Sequence, residues 1–296
     1  MPIRELFHVM HIVDDFDRAQ AFYDRLFDPE VFVPKHWSDF DKRWASIGVI
    51  GANFVLEIME PSRAPEDQQA PLPKFRNRHG QHLHSMAWFV DVDDMMPLIE
   101  RLRAYGVRVI IPYPMEEGAI PATIFTHPKD TFGQLEIQTR AEAAMHDPHL
   151  AADFSARRWL EGPLQLERCS HITTVVTDLD RAQDFYERCL GAKAFHARST
   201  REVDSVFVLV GTETVVELAR PNTEDSALAR DLAQHGELPH SLTFKVRDLR
   251  AAARHCETLG VGTRRDGPAT FTIEPADAFG AVISFTEEEL PSDPRI

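Results

Sequence analysis

The sequence predicts an α+β protein of two similar halves, each built from two β-α-β-β-β units. Three observations lead there. The chain has 296 residues, and at about 100–200 residues per domain that length suggests two domains. It repeats itself: residues 7–27 read FHVMHIVDDFDRAQAFYDRLF, and residues 170–190 read SHITTVVTDLDRAQDFYERCL. Within each half an apolar strand precedes an amphipathic helix, and short β-rich stretches follow.

The repeat pairs His8 with His171, Asp15 with Asp178, Arg18 with Arg181 and Tyr23 with Tyr186. It continues in VLEIMEP (55–61) against VVELARP (215–221), which pairs Glu57 with Glu217. HSMAWFVDVDD (84–94) matches HSLTFKVRDL (240–249), and KDTFGQLEI (129–137) matches ADAFGAVISF (276–285). Domains are therefore expected at 1–148 and 164–296, with a linker at 149–163 ending on Gly162-Pro163. The stretch from 141 to 162 is partly helical in composition.

The first unit opens with a strand, Phe7–Val13, in which His8, Met10 and Ile12 share one face and Val9, His11 and Val13 the other. Asp15 can then cap a helix whose apolar face carries Phe22, Tyr23, Leu26 and Phe27. Strands are expected at Trp44–Ile50 and Asn53–Met59. Residues 61–79, with four prolines and many charges, read as the loop joining the first two units. The second unit opens with a strand, His84–Val90. A helix from about Asp94 to Tyr105 follows, stopped by Gly106. Strands then fall at Val107–Ile111, Thr123–His127 and Gln134–Gln138. Asp91, Asp93 and Asp94 read as helix caps and dipole partners. The second half repeats the scheme, with a helix from about Asp248 to Leu259 stopped by Gly260.

Acidic residues outnumber basic ones 47 to 32, a formal charge of −15. That field repels phosphate backbones and anionic lipid, which argues against nucleic acid and membrane surfaces as partners. Apolar residues make up 43% and charged residues 27%, ordinary globular usage. No apolar run approaches the ~18 residues of a membrane span. Cys169, Cys189 and Cys256 form no CxxC and fit no disulfide framework, and the N-terminus shows no secretory pattern, so a reduced cytoplasm is the default compartment.

The strand-Asp-x-Asp-Arg-Ala-x-x-Phe-Tyr segments and THPKDTFGQLE (126–136) resemble the vicinal oxygen chelate superfamily. That group includes glyoxalase I, methylmalonyl-CoA epimerase, type I extradiol dioxygenases and bleomycin-resistance proteins, and the resemblance spans nearly the whole chain. It implies tandem duplicated glyoxalase-like domains: four βαβββ modules forming curved mixed sheets around a concave pocket. It also implies a divalent metal there (Zn, Ni, Co, Mn or Fe(II)) and no nucleotide cofactor. Whether the chain forms a homodimer stays open.

By that resemblance the first metal ligand falls at His8 and His171. The second falls at Glu57 and Glu217; a carboxylate inside an apolar strand is costly unless paired or metal-bound. The third is where the sequence departs from the family. Counting back from Val90 and Val246 gives Ser85 and Ser241, and a histidine stands one residue earlier in each. His84 and His240 reach the pocket only if the strand start is bulged, because a one-residue slip reverses a side chain's face. The fourth slot, four residues after the closing glycine, is Ile137 with Glu136 beside it, and Ser284 in the second half. The first half thus offers His8, Glu57, His84 and Glu136, and the second His171, Glu217 and His240. Each half either closes on itself or exchanges units with the other. His11, matched by Thr174, reads as packing, and Arg43, Trp44, Trp88 and Tyr113 read as pocket lining or core.

The resemblance and this ligand set imply a metal-dependent enzyme acting on a small oxygenated substrate through a metal-bound enolate or enediolate, of lyase, isomerase or epimerase type, with Glu136 as the catalytic base. Two alternatives stand beside it: an Fe(II) extradiol ring-cleaving dioxygenase, and a metal-free small-molecule binding or resistance protein, which Ser85, Ser241 and Ser284 favour.

Overall fold

The computed structural model describes residues 3–113, 116, 118–140 and 147–296. The first half contains β1 (Ile3–Ile12), α1 (Phe16–Phe27), β2 (Glu30–Ser38), β3 (Arg43–Ile50), β4 (Phe54–Pro61), α2 (Pro71–His79), β5 (His82–Val90), α3 (Val92–Ala104), β6 (Val109–Ile110), β7 (Thr123–Thr126) and β8 (Gln134–Thr139). A short helix, α4 (Arg157–Leu160), lies between the halves. The second half contains β9 (Leu166–Val175), α5 (Leu179–Leu190), β10 (Lys193–Ser199), β11 (Val203–Val210), β12 (Thr214–Pro221), α6 (Ala227–His235), β13 (Pro239–Val246), α7 (Leu249–Thr258), β14 (Thr263–Arg265), β15 (Thr270–Ile273) and β16 (Val282–Thr286).

Each half is one eight-stranded mixed sheet. The orders are β2-β3-β4-β1-β5-β8-β7-β6 and β10-β11-β12-β9-β13-β16-β15-β14, the same pattern shifted by eight strands. The duplicated βαβββ architecture is therefore present in both halves. In each, the two opening strands pair antiparallel at the centre (β1 with β5, β9 with β13), so the two units of one half join each other. The units are not exchanged between halves, so each sheet is built from one half.

Local chemistry explains the helix starts. Asp15 and Asp178 adopt extended backbone and accept the amide N–H of Arg18 and Arg181, satisfying one of the free donors of the first turn. Asp91 stands at the N-cap of α3 but makes no capping bond; its carboxylate is taken by Arg4 Nε at 2.9 Å. Two expectations need correction. Residues 71–79, read as loop, form α2. Pro71 sits in the first turn, where a missing N–H costs nothing. The edge strand β2 was not foreseen, because it carries Pro34 and is mostly solvent-exposed, and only an edge tolerates that residue. Of the stretch expected to link the halves, residues 141–146 lie outside those described.

The halves pack directly. Phe27, Phe54, Phe244 and Phe285 form one aromatic cluster across them, with Phe54 edge-on to Phe244 at 5.1 Å. Gly211 has φ +64°, and a Cβ there would stand 1.7 Å from the Arg4 carbonyl oxygen, so this approach requires glycine. The three cysteines are buried and unpaired. Among the described residues no helix is long and apolar enough to cross a membrane.

Candidate active site

In the first half, register brings the family's ligand positions together. His8 pairs with Ala87, which pairs with Glu136. Met10 pairs with both Glu57 and Ser85. Side chains on paired residues share a face, so His8, Glu136, Met10, Glu57 and Ser85 all look the same way. Glu136 gets there on a regular strand: β5 and β8 run in unbroken register from Ser85–Gln134 to Val90–Thr139. No bulge is needed for this, and Ile137, the slot counted from Gly133, points into the opposite core, fully buried.

His8 Nε2 lies between two carboxylates, 3.4 Å from Glu57 Oε2 and 3.6 Å from Glu136 Oε2. Both ring nitrogens of His8, and Glu57 Oε2, are buried without a hydrogen-bond partner. The other oxygen, Glu57 Oε1, is 3.0 Å from Arg43 Nη2, and the same guanidinium meets Asp41 at 3.3 Å. Burial works against the Arg43 charge, but Glu57, Asp41 and Glu136 outweigh it and hold its pKa above the ordinary value.

His84 reaches this pocket by the one route open to it. β1 and β5 pair Met10 with Ser85 and then His11 with Leu83, so His84 is the extra residue of a bulge. Its ring stands edge-on to Phe75 at 4.5 Å and lines the cavity. Ser85 Oγ donates to Met10 Sδ, which leaves His84 Nδ1 to donate to Ser85 Oγ at 2.6 Å. Burial, then Arg43, push the His84 pKa down to about 3, so the ring is neutral. Among the described residues it pairs with neither Glu57 nor Glu136. Ser85, at the family's third position, faces the pocket but spends its hydroxyl on these neighbours.

The cavity measures about 790 Å³. Met10, Leu72, Phe75 and Phe125 supply apolar wall, Glu136 and His84 the polar floor, and Lys74 and Arg78 of α2 reach it from one side. Of the four residues read as pocket lining or core, Arg43 and Tyr113 line it. Burial and the charges of Asp41 and Glu136 raise the Tyr113 pKa, keeping the phenol protonated. Trp44 lies half-exposed against Trp37, and fully buried Trp88 directs Nε1 to Thr214, so neither belongs to the site. His11 is structural: Tyr23 and the Phe279 carbonyl hold its two nitrogens at 2.8 and 3.0 Å, and burial pushes its pKa down to about 4.

The second half places the same ladder differently. His171 Nε2 is 3.6 Å from Glu217 Oε2, and Ser284 holds the row of Glu136, opposite Thr243 and His171. Here Glu217 is satisfied: Thr173 Oγ1 donates to Oε2 at 2.8 Å, and Arg198 pairs with Oε1. Burial would raise the Glu217 pKa, but His171, Arg198 and the hydroxyls of Ser205 and Thr173 outweigh it and lower it. Ser284 bonds Thr272 at 2.7 Å. His240 is also a bulge residue, skipped between Pro239–Thr174 and Ser241–Thr173, but its Nδ1 turns to Asp231 at 2.8 Å. It does not join His171 and Glu217.

The sequence profile of the Glyoxalase/Bleomycin resistance protein/Dioxygenase superfamily matches residues 7–124 and 170–271. The chain belongs to that superfamily. Each matched segment covers most of one eight-stranded sheet. Among solved structures, a triple mutant of 4-hydroxymandelate synthase from Streptomyces coelicolor superposes with TM-score 0.66 at 15% identity, covering 99% of this chain and 96% of that one. At that identity the likeness speaks to the tandem glyoxalase-like fold. Methylmalonyl-CoA epimerase from Mycobacterium tuberculosis is 28% identical over 46% of this chain and 97% of its own, with TM-score 0.42. No curated protein sequence matches the chain.

The sequence reading missed the role of Arg43 in neutralising half of Glu57. The signal available was an arginine at the start of a strand that pairs with the strand of a buried glutamate.

Proposed function

We propose that the first-half pocket is the active site of a metal-dependent enzyme that moves a proton at a carbon beside a carbonyl, of isomerase, epimerase or lyase type. One observation carries the reading. His8 and Glu57 Oε2 are buried with unpaired polar atoms, each of which costs about 1–3 kcal/mol when left unmade, whereas the duplicated Glu217 in the other half is fully partnered. The 3.4 and 3.6 Å separations suit a shared ion, since ligands about 2.1 Å from a tetrahedral centre lie roughly 3.4 Å apart. His8, Glu57 and Glu136 would hold it, Glu57 through the oxygen that Arg43 leaves free. A divalent ion in that donor set supplies polarisation of a carbonyl and so acidifies the neighbouring C–H.

The residues of the chain do the rest. Glu136, at the cavity floor, takes and returns the proton. Neutral His84 and protonated Tyr113 offer an acceptor and a donor to the substrate oxygens. Lys74 and Arg78 suit an anionic group at the far end of the substrate, and the apolar wall excludes water. The Fe(II) ring-cleaving alternative requires a second imidazole on the ion, and His84, the imidazole that β5 brings to the cavity, pairs with neither Glu57 nor Glu136 and is turned to Ser85. Metal-free binding is the second reading, favoured by the Arg43–Glu57 pair, which already cancels one charge of the site.

The test is solvent deuterium uptake by small anionic ketones, hydroxyketones and acyl thioesters, followed by NMR with Zn²⁺, Co²⁺ or Ni²⁺ added. Glu136→Gln is expected to slow uptake by at least ~10²-fold, the ordinary contribution of a general base, with folding intact. Unchanged uptake in Glu136→Gln, or a wild-type site at His8 that takes up no divalent ion, overturns the proposal.

A further inference from the structure

A second group of histidines lies behind His79 at the edge of this pocket, where the two halves meet. His82 opens β5 in the first half, and Asp231 and His235 lie one turn apart on α6 in the second. His82 Nε2 is 3.1 Å from Asp231 Oδ1, His235 Nε2 is 3.9 Å from the same oxygen, and one ligand atom from each residue falls within 4.8 Å of the other two. We propose that His82, Asp231 and His235 form a divalent metal site, of the kind that takes Zn²⁺, clasping the two halves together.

The hydrogen bonds around the three residues decide their chemistry. His82 Nδ1 lies 2.7 Å from the Leu83 carbonyl oxygen, which only accepts, so Nδ1 carries the proton and Nε2 presents its lone pair. That lone pair faces a carboxylate oxygen, an arrangement that repels unless a cation or a proton lies between. His240 Nδ1 donates to Asp231 Oδ2 at 2.8 Å, fixing the carboxylate and leaving Oδ1 directed at His82 and His235. His79 Nδ1 meets His235 Nδ1 at 3.2 Å; with His235 as the donor of that pair, its Nε2 keeps a lone pair and faces inward. Every ligand thus has its outer atom held and its inner atom turned to the common centre, the arrangement that orients metal ligands elsewhere. Two imidazoles and one carboxylate suit Zn²⁺ and its first-row neighbours, with a fourth position left to water.

The duplication does not demand this cluster. At the matching positions of the other half, Asp231 is replaced by Phe75 and His82 by Leu238. Phe75 packs on His84 and lines the pocket, whereas Asp231 binds His240, the counterpart of His84. Of the three ligands only His235 is repeated, as His79, so the mirror-image cluster cannot form, and the bulge that delivers His84 to the pocket delivers His240 to the clasp.

The experiment uses the full chain carrying His8→Ala, which disables the pocket site and so separates this proposal from the one above. Zn²⁺ stoichiometry by equilibrium dialysis and Co²⁺ visible absorption are the readouts. His8→Ala is expected to keep one bound equivalent and a tetrahedral Co²⁺ band, and to gain thermal midpoint on Zn²⁺ addition. Adding His82→Ala or His235→Gln should lower that affinity at least 100-fold and remove the band. Adding His240→Gln should weaken it about 10–100-fold, as loss of an orienting partner does. Far-UV circular dichroism checks folding, and His235→Gln, at the end of α6, carries the test if His82→Ala unfolds. No metal in His8→Ala means that a proton on His82 closes the cluster, and refutes the site; so does an equivalent that survives His235→Gln.

Discussion

Arg43→Met is the sharpest probe of the pocket. The substitution keeps the apolar stem and removes the charge. Arg43 and Glu57 expose 15% and 1% of their side chains, and the contact is 3.0 Å, so this is a buried pair rather than a surface one. Breaking a buried pair from one side costs about 3–5 kcal/mol, because the surviving charge is left without compensation. Glu57 would then hold two unpartnered oxygens instead of one, and Asp41 would lose its 3.3 Å partner. At about 2–4 °C per kcal/mol for a domain of this size, the thermal midpoint of metal-stripped protein should fall by roughly 6–20 °C. Arg43→Met with Glu57→Gln removes both charges and should recover most of the loss, to within ~1–2 kcal/mol of wild type. If a divalent ion binds at Glu57, saturating Zn²⁺ should rescue Arg43→Met by more than it stabilises wild type, since the ion replaces the missing positive charge. Urea unfolding at pH 7, with and without Zn²⁺, gives all of these numbers. A loss below ~1 kcal/mol in the stripped single variant, the size of a surface pair, would falsify the reasoning.

Two further predictions concern the seam between the halves. His149 is held by Asp147 at 2.9 Å and Glu213 at 3.1 Å; burial opposes its charge, but these partners outweigh it and raise its pKa to about 10. A raised histidine pKa means stability fully present below about pH 6.5 and lost as pH climbs towards 10, on the order of a few kcal/mol. The urea midpoint of wild type should therefore decline more steeply over that window than that of His149→Gln; parallel profiles would rule the linkage out. Asn53 accepts from the Cys169 amide at 2.8 Å and donates to the carbonyls of Cys169 and Glu213. Arg295 also reaches both carbonyls, so Asn53→Ala orphans chiefly the Cys169 N–H and should cost about 1–3 kcal/mol in urea unfolding, with a change under 0.5 kcal/mol (roughly the noise of a surface substitution) counting against it.

Local and periodic features were legible in the sequence because they depend on few neighbours. The duplication, the Asp15 and Asp178 caps, and the strands bearing His8, Glu57 and Glu136 follow from alternation, turn chemistry and the repeat itself. So did the loss of a carboxylate at Ser284. Features set by distant partners were not legible. Proline-rich residues 71–79 form a helix because their prolines fall in its first turn, and β2 exists because β3 offers it an edge. Whether His84 or Ser85 faces the cavity depended on a bulge against β1, since one extra residue reverses a strand's face. The same bulge sends His240 elsewhere only because α6 brings Asp231 beside it. The pairing of β1 with β5 within one half, and the meeting of His82 with α6 across the halves, are decisions of tertiary packing. They bring together residues far apart in the chain, and no local pattern encodes that distance.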